Sequence, residues 1–246
     1  MKPPRPQGGT VRHAGIIAAG HGTRLAGSHP GLVKPLVPVA GRPLCHWVVA
    51  SLRQAGVREI TLLHNSSGRG VRESLEQAFP DLRWTFLLAD TASSWESFRL
   101  VSRTLGDSAE GFLISTVDAL VPPADAARFA RHCASTGAGA GLALTSFVDD
   151  EKPLWADLNE DGFVTALGDG SVRKSLVTSG LYFMTAAEAA RMPEPQAFSA
   201  LRRYWMSLVD SGVAVAGCPL SKTLDIDRPE DVAQAEGFLK EAIASW

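Results

Sequence analysis

The sequence predicts an α/β fold: one domain built as a three-layer sandwich, with helices on both faces of a mostly parallel mixed sheet. Three observations carry that reading. Short apolar runs alternate with amphipathic stretches of helical period along most of the 246 residues. The chain is 45% hydrophobic, enough to fill one large core. No internal repeat and no linker-like stretch breaks the rhythm after the first residues.

Taken in order, strands are expected at 14–19, 59–64, 84–89, 111–116, 139–146 and 177–184, and helices at 43–55, 68–79, 94–105, 123–136, 197–210 and 229–243. Pro43 suits a first helical turn, Leu44, Trp47, Val48 and Leu52 recur at helical spacing, and Gly56 supplies a stop. Leu158–Phe163 reads as a turn joining two strands, because Asp161-Gly162 tolerates positive φ. Asp227-Arg228-Pro229-Glu230 reads as a capping box, with Asp227 accepting from the helix backbone and Glu230 reaching back. Residues 1–13, rich in proline and glycine, are expected to be a disordered tail, 14–246 the domain, and 147–176 an insertion. In a sheet of this kind ligands sit at the carboxyl ends of the strands.

Composition narrows the function classes. Lysine plus arginine number 24 against 26 acids, a net charge of −2, so no global basic field invites nucleic acid. Cys45, Cys133 and Cys218 lie far apart without zinc-ligand spacing and read as buried thiols of a reducing compartment. No segment nears the ~18 consecutive apolar residues of a membrane helix, and Met1–Thr10 lacks an apolar signal core. A cytoplasmic protein is expected.

The chemistry concentrates in two segments. Gly15–Ala19 runs into Gly20-His21-Gly22-Thr23-Arg24-Leu25, and Lys34-Pro35-Leu36 follows ten residues later. Glycines let backbone N–H groups turn toward phosphate oxygens, and Arg24 and Lys34 neutralise the charge those groups cannot. A dinucleotide fingerprint would need a small residue where Leu25 stands and an acid closing the second strand, where His64-Asn65-Ser66 stands instead. A Walker A loop would need Gly-Lys-Ser/Thr where Gly22-Thr23-Arg24 stands. The bland alternative is a glycine turn with two solvated cations.

The paired segments resemble the sugar-phosphate nucleotidyltransferases, whose signature is Gly-x-Gly-Thr-Arg followed by Lys-Pro-Leu. The resemblance implies a single-domain Rossmann-like (GT-A-like) fold. It also implies an NTP held by Ala18, Ala19, Gly20, His21, Gly22, Thr23, Arg24 and Lys34. Asp118 follows the apolar run Gly111–Ile114 at a strand end, where the family carries its metal aspartate; Val117 beside it replaces a residue usually small in relatives. Leu224-Asp225-Ile226-Asp227-Arg228-Pro229-Glu230-Asp231 is similar to a pattern ending many members, and alternation puts Asp225 and Asp227 on one face. Asp118 and Asp225 are the expected Mg²⁺ ligands, with Asp227 either sharing that metal or capping the last helix. Arg24, Lys34, Asp118 and Asp225 are then the expected catalytic set.

Base choice is assigned to the loop Asp90–Phe98, with Ser94 as a contact. Its lack of glycines is similar to choline- and inositol-phosphate cytidylyltransferases and favours CTP; a serine N-cap with Trp95 and Phe98 on the packing face explains the same residues. Glu96 is the nearest acid to read a cytosine amino group. Val177–Phe183 resembles an acceptor-contacting strand in which Gly180 permits close approach, and Lys152, Lys174 and Lys222 are candidates for the acceptor phosphate. The implied partners are an NTP and a phosphorylated small molecule, without nucleic acid or membrane, and a homodimer is left open. The implied reaction moves NMP onto a sugar-1-phosphate or alcohol phosphate and releases pyrophosphate. Uridylyl-, thymidylyl- or guanylyltransferases, molybdopterin-type enzymes and a non-catalytic nucleotide-sugar sensor are the alternatives.

Overall fold

A computed structural model describes residues 10–20, 22–26, 31–148 and 152–242. In chain order its first half comprises β1 (His13–Ala18), α1 (Thr23–Ala26), β2 (Pro38–Val39), β3 (Arg42–Pro43), α2 (Leu44–Gln54), β4 (Glu59–His64), α3 (Val71–Ala78), β5 (Arg83–Leu88), α4 (Ser94–Gly106), β6 (Gly111–Thr116) and β7 (Ala119–Leu120). The second half comprises α5 (Pro123–Thr136), β8 (Ala140–Thr145), β9 (Trp155–Leu158), β10 (Val164–Leu167), β11 (Leu176–Thr185), α6 (Ala186–Ala190), α7 (Leu201–Asp210), β12 (Val215–Pro219), β13 (Leu224–Asp225) and α8 (Pro229–Ala242).

The main sheet has nine strands, running β10-β9-β11-β6-β1-β4-β5, with β8 and β12 attached beside β11. β6, β1, β4 and β5 are mutually parallel, as are β8 and β12, whereas β11 runs antiparallel to β6, β8 and β9. One core packs α2, α3, α5 and α8 on one face; a second packs α4, α6 and α7 on the other. The second face is aromatic: Tyr182 stacks on Trp205 at 5.4 Å and Trp95 meets Tyr204 at 4.4 Å, locking α7 onto α4.

The chain builds outward from β1 through β4 to β5, then returns to place β6 on the other side of β1. The strand order therefore reverses between β1 and β6. Crevices open at the carboxyl ends of strands at such a switch point.

The expected strands and helices are present, with instructive shifts. α3 starts at Val71 instead of 68, because Gly70 sits at φ 79, outside the helical region. α7 starts at Leu201 instead of 197, since Pro195–Ala197 forms a separate 3₁₀ turn. The Asp161-Gly162 turn joins β9 to β10 with Gly162 at φ 82, and the hairpin extends the sheet edge alongside β11. β1 starts at His13 with Val11 buried, inside the span read as a tail; residues 1–9 lie outside the described residues. All three cysteines are free and buried, and burial pushes the Cys45 thiol up to about 12. Among the described residues no helix is long and apolar enough to cross a membrane.

Candidate functional site

A cleft of about 430 Å³ opens at the switch point, walled by Ala19, Gly20 and Gly22 after β1 and by Thr116, Val117 and Asp118 after β6. Arg24 and Lys34 also line it. Ala18 does not; it is buried in the core beneath the loop. His21 lies outside the described residues, and α1 begins at Thr23. Gly22 has φ 58, and a Cβ there would come within 2.7 Å of Lys34 Cβ. Glycine thus serves both the turn and the passage of the Lys34 backbone across it.

Lys34 opens a 3₁₀ turn, Lys34–Leu36, with Pro35 in its first turn, and its side chain is 7% exposed. Its ammonium donates to Asp118 Oδ2 at 2.5 Å and to Asp227 Oδ1 at 2.5 Å. Burial alone would lower the lysine's pKa; the two carboxylates outweigh that and raise it above its ordinary value. Burial likewise pushes the Asp118 carboxyl up, but the Lys34 charge, with hydrogen bonds from Lys34 and Thr116, holds it below the usual carboxylate range. Arg24 stands 3.8 Å from Asp227 Oδ2 with 63% of its side chain exposed, a screened pair that leaves the guanidinium open to a ligand.

The two acids meet because β7 pairs antiparallel with β13, Ala119 opposite Asp225, and Ile226 N–H donates to the Asp118 carbonyl at 3.1 Å. The expected capping box is corrected. Asp231 reaches back to the N–H groups of Asp227 at 2.8 Å and Arg228 at 2.7 Å, in place of Glu230. Asp227 turns its carboxylate to Lys34 instead of the helix.

Among the described residues no three His, Cys, Asp or Glu side chains cluster as a ready-made metal cage. Asp118 and Asp227 nevertheless converge on one cationic position. A pair of carboxylates completed by phosphate oxygens and water is the donor set Mg²⁺ favours. Asp225 is exposed and faces an adjoining cavity.

The loop before α4 is a capping box. Ser93 Oγ accepts from Glu96 N–H at 3.1 Å and Glu96 accepts from Ala92 N–H at 2.7 Å, so the base-reading role expected of Glu96 is taken by local structure. Ser94 lines the cleft as expected, while its Oγ accepts from Leu201 N–H at 3.0 Å at the start of α7. Trp95 and Phe98 are core residues. Thr91 and Ser97, within the loop assigned to base choice, line the cleft with their hydroxyls 2.5 Å apart; sequence reasoning passed over Asn65, which donates to the Ala19 carbonyl at 2.9 Å.

A second cavity, about 90 Å³, shares Arg24 and Asp227 with the first. Its walls bring Thr178, Ser179, Thr145, Asp225 and Arg228 together with apolar Phe147 and Leu154. None of the expected lysines lines either cavity. Lys152, Lys174 and Lys222 are exposed, and Lys222 places its ammonium 4.5 Å over the Phe147 ring. Gly180, at φ 73, is required by its own neighbours: a Cβ would lie 2.7 Å from Thr116 Oγ1 and 2.8 Å from Ala119 Cβ. It lets β11 pass against the Asp118 turn.

This arrangement matches a known family. A MobA-like NTP transferase domain is matched by residues 14–176. The chain belongs to that family. The chain is 27% identical over 235 residues to the bifunctional protein GlmU of Maricaulis maris (strain MCS10), covering 94% of this chain and 44% of that protein. It is 42% identical over 60 residues to the N-acetylmuramate alpha-1-phosphate uridylyltransferase of Neisseria meningitidis serogroup B (strain ATCC BAA-335 / MC58), covering 24% and 26% of the two chains. The matched stretches thus span less than half the length of these curated relatives. In structure it is similar to the inositol-1-phosphate CTP transferase from T. maritima, with a TM-score of 0.80, 22% identity, and 95% and 98% of the chains covered. The Rossmann-like, GT-A-like sandwich and the resemblance to sugar-phosphate nucleotidyltransferases both stand.

Proposed function

We propose that this NTP transferase moves a nucleotidyl group, cytidylyl by preference, from an NTP onto the phosphate oxygen of a phosphorylated small molecule. The observation that carries the reading is the Lys34 ammonium between Asp118 and Asp227, at the mouth of the glycine turn, with Asp227 shared by the two cavities.

The acceptor oxygen attacks the α-phosphorus, the bond to the β-phosphate breaks, and the electron pair leaves with pyrophosphate. A phosphomonoester with second pKa near ~6 is already largely dianionic at neutral pH, so no general base is needed. What the site must do is hold two polyanions in line and stabilise the departing charge. Backbone N–H groups around Gly20 and Gly22, with Arg24, suit the β- and γ-phosphates; Lys34 suits the α-phosphate once an incoming phosphate draws it from its carboxylates. Asp118 and Asp227 would hold Mg²⁺, with Asp225 beside them, and that ion would supply charge neutralisation at the phosphates. Thr178, Ser179 and Arg228 suit the acceptor.

The cytidylyl preference rests on the glycine-free loop before α4, whose Thr91, Ser93 and Ser97 line the cleft. The test is pyrophosphate release with CTP, UTP, dTTP, GTP and ATP against a panel of sugar-1-phosphates and alcohol phosphates, with and without EDTA. Turnover is expected with CTP above the others and none in EDTA. Faster turnover with UTP, dTTP or GTP overturns the base assignment alone, and tight nucleotide binding without any turnover points to a sensor.

A further inference from the structure

We infer that Asp125, which lines neither cavity, is a positioning residue that sets the register of the ribbon carrying Asp118, Asp225 and Asp227. The inference rests on the proposed role of those acids. β7 and β13 pair over only two residues each, Leu120 with Leu224 and Ala119 with Asp225, in a sheet of two strands. A ribbon that short cannot hold its own register. A slip of one residue would turn Leu224 and Ile226 to the cleft and Asp225 and Asp227 away.

At the far end of the ribbon β8 holds the incoming segment through Leu220 N–H on the Leu144 carbonyl at 2.7 Å, and one carboxylate ties that segment to the β7 side. Asp125 sits in the first turn of α5, shortly after β7, and is 7% exposed. Its Oδ2 accepts from Ser221 N–H at 3.1 Å and from Ser221 Oγ, three residues before β13. Its Oδ1 accepts from Arg128 at 2.6 Å, and Arg128 also donates to the Pro219 carbonyl at 2.7 Å. Thr145 Oγ1 donates to the Ser221 carbonyl at 3.1 Å, so Ser221 is gripped from both sides. An acid in a first helical turn ordinarily serves its own helix; this one spends an oxygen on a segment 96 residues away.

Three variants test this: Asp125→Ala, the milder Ser221→Ala, and Ser221→Thr, which keeps the hydroxyl. The readouts are hydrogen exchange at Ile226 N–H, kcat and KM per folded molecule, and Mn²⁺ affinity by EPR with a non-hydrolysable NTP analogue bound. Asp125→Ala is expected to lower kcat ~10²-fold, as misplacement of about 1 Å does. It should leave KM for NTP within about twofold, weaken Mn²⁺ several-fold, and speed Ile226 exchange more than that of core strands. Ser221→Ala should do the same by a smaller factor, and Ser221→Thr should restore it. A lower melting temperature with unchanged kcat, Mn²⁺ affinity and Ile226 exchange overturns the inference. Should Asp125→Ala fail to fold, Ser221→Ala against Ser221→Thr decides. Should the wild type turn over no substrate, the proposed function fails, and Ile226 exchange alone still decides whether Asp125 sets the ribbon.

Discussion

The two cavities that meet at Arg24 and Asp227 differ in what lines them. The larger is centred on the ends of two adjacent parallel strands, and the loop before α4, Lys34 and Asp227 complete walls of glycine backbone, hydroxyls and an ion pair. The smaller draws Thr145 from β8, Leu154 from before β9, Thr178 from β11 and Arg228 from before α8, four segments dispersed over more than 80 residues. The contrast suits the ligands proposed for them. A triphosphate presents the same charges in every reaction of its class, so a compact loop with two cations can hold it. An acceptor varies, and side chains on separate elements can change without disturbing one another.

The largest expected effect lies on the nucleotide side. Asp118→Asn removes the charge that Lys34 and a divalent ion would share, and loss of such a ligand removes several kcal/mol of charge stabilisation. Turnover is expected to fall by roughly 10³-fold or more with every acceptor, while circular dichroism and the melting temperature change little. Substantial activity in Asp118→Asn, or activity that EDTA leaves intact, would break the proposed division between a nucleotide cavity and an acceptor cavity.

Lys34→Ala comes next. Loss of one preorganised donor costs about 3 kcal/mol, or ~10²-fold in kcat. The factor is expected to be equal for good and poor acceptors, because Lys34 belongs to the nucleotide side. If KM for NTP rises with kcat unchanged, Lys34 binds ground and transition states alike and its assigned role is wrong. If the factor depends on the acceptor, the two cavities are less separate than their walls imply.

The same contrast explains what could be read in the sequence. The parallel strands announce themselves as apolar runs such as Ile60–Leu63, and Gly20 to Lys34 is a local pattern whose spacing survives folding. β12 escaped notice because Ala216-Gly217 interrupts its apolar run. Lys174 and Lys222 were candidates by charge and Lys152 by its place in Glu151-Lys152-Pro153, and neither charge nor a three-residue pattern on a loop says where the loop points. Phe147 and Arg228 carry no local signal; only sheet topology brings them to one cavity. The Asp227 cap failed by three-residue geometry. Asp231 could satisfy the helix start equally well, which released Asp227 to a lysine 193 residues away.

The smallest effect concerns Asp157, on β9 at the edge of the acceptor half. Its carboxylate accepts from Ser171 Oγ at 2.7 Å, Val172 N–H at 2.7 Å and Arg173 N–H at 3.1 Å, tying the strand to the loop before β11. The Ser171 hydrogen bond first, then those from Val172 and Arg173, hold its pKa below the ordinary value. A carboxyl depressed on folding adds stability above its unfolded pKa of about 3.9, and that contribution is lost as pH falls through the folded value. Asp157→Asn, which sets an amide donor against donors, is therefore expected to lower the melting temperature at pH 7, with the gap to wild type closing below about pH 4. Because Val177 and Thr178, near the start of β11 where that loop ends, line the smaller cavity, KM for the acceptor is expected to rise a few-fold while KM for NTP stays put. A gap that persists undiminished at pH 3 would show that the carboxylate's charge is not what holds the loop. An NTP effect as large as the acceptor effect would show that the two halves of the sheet move together.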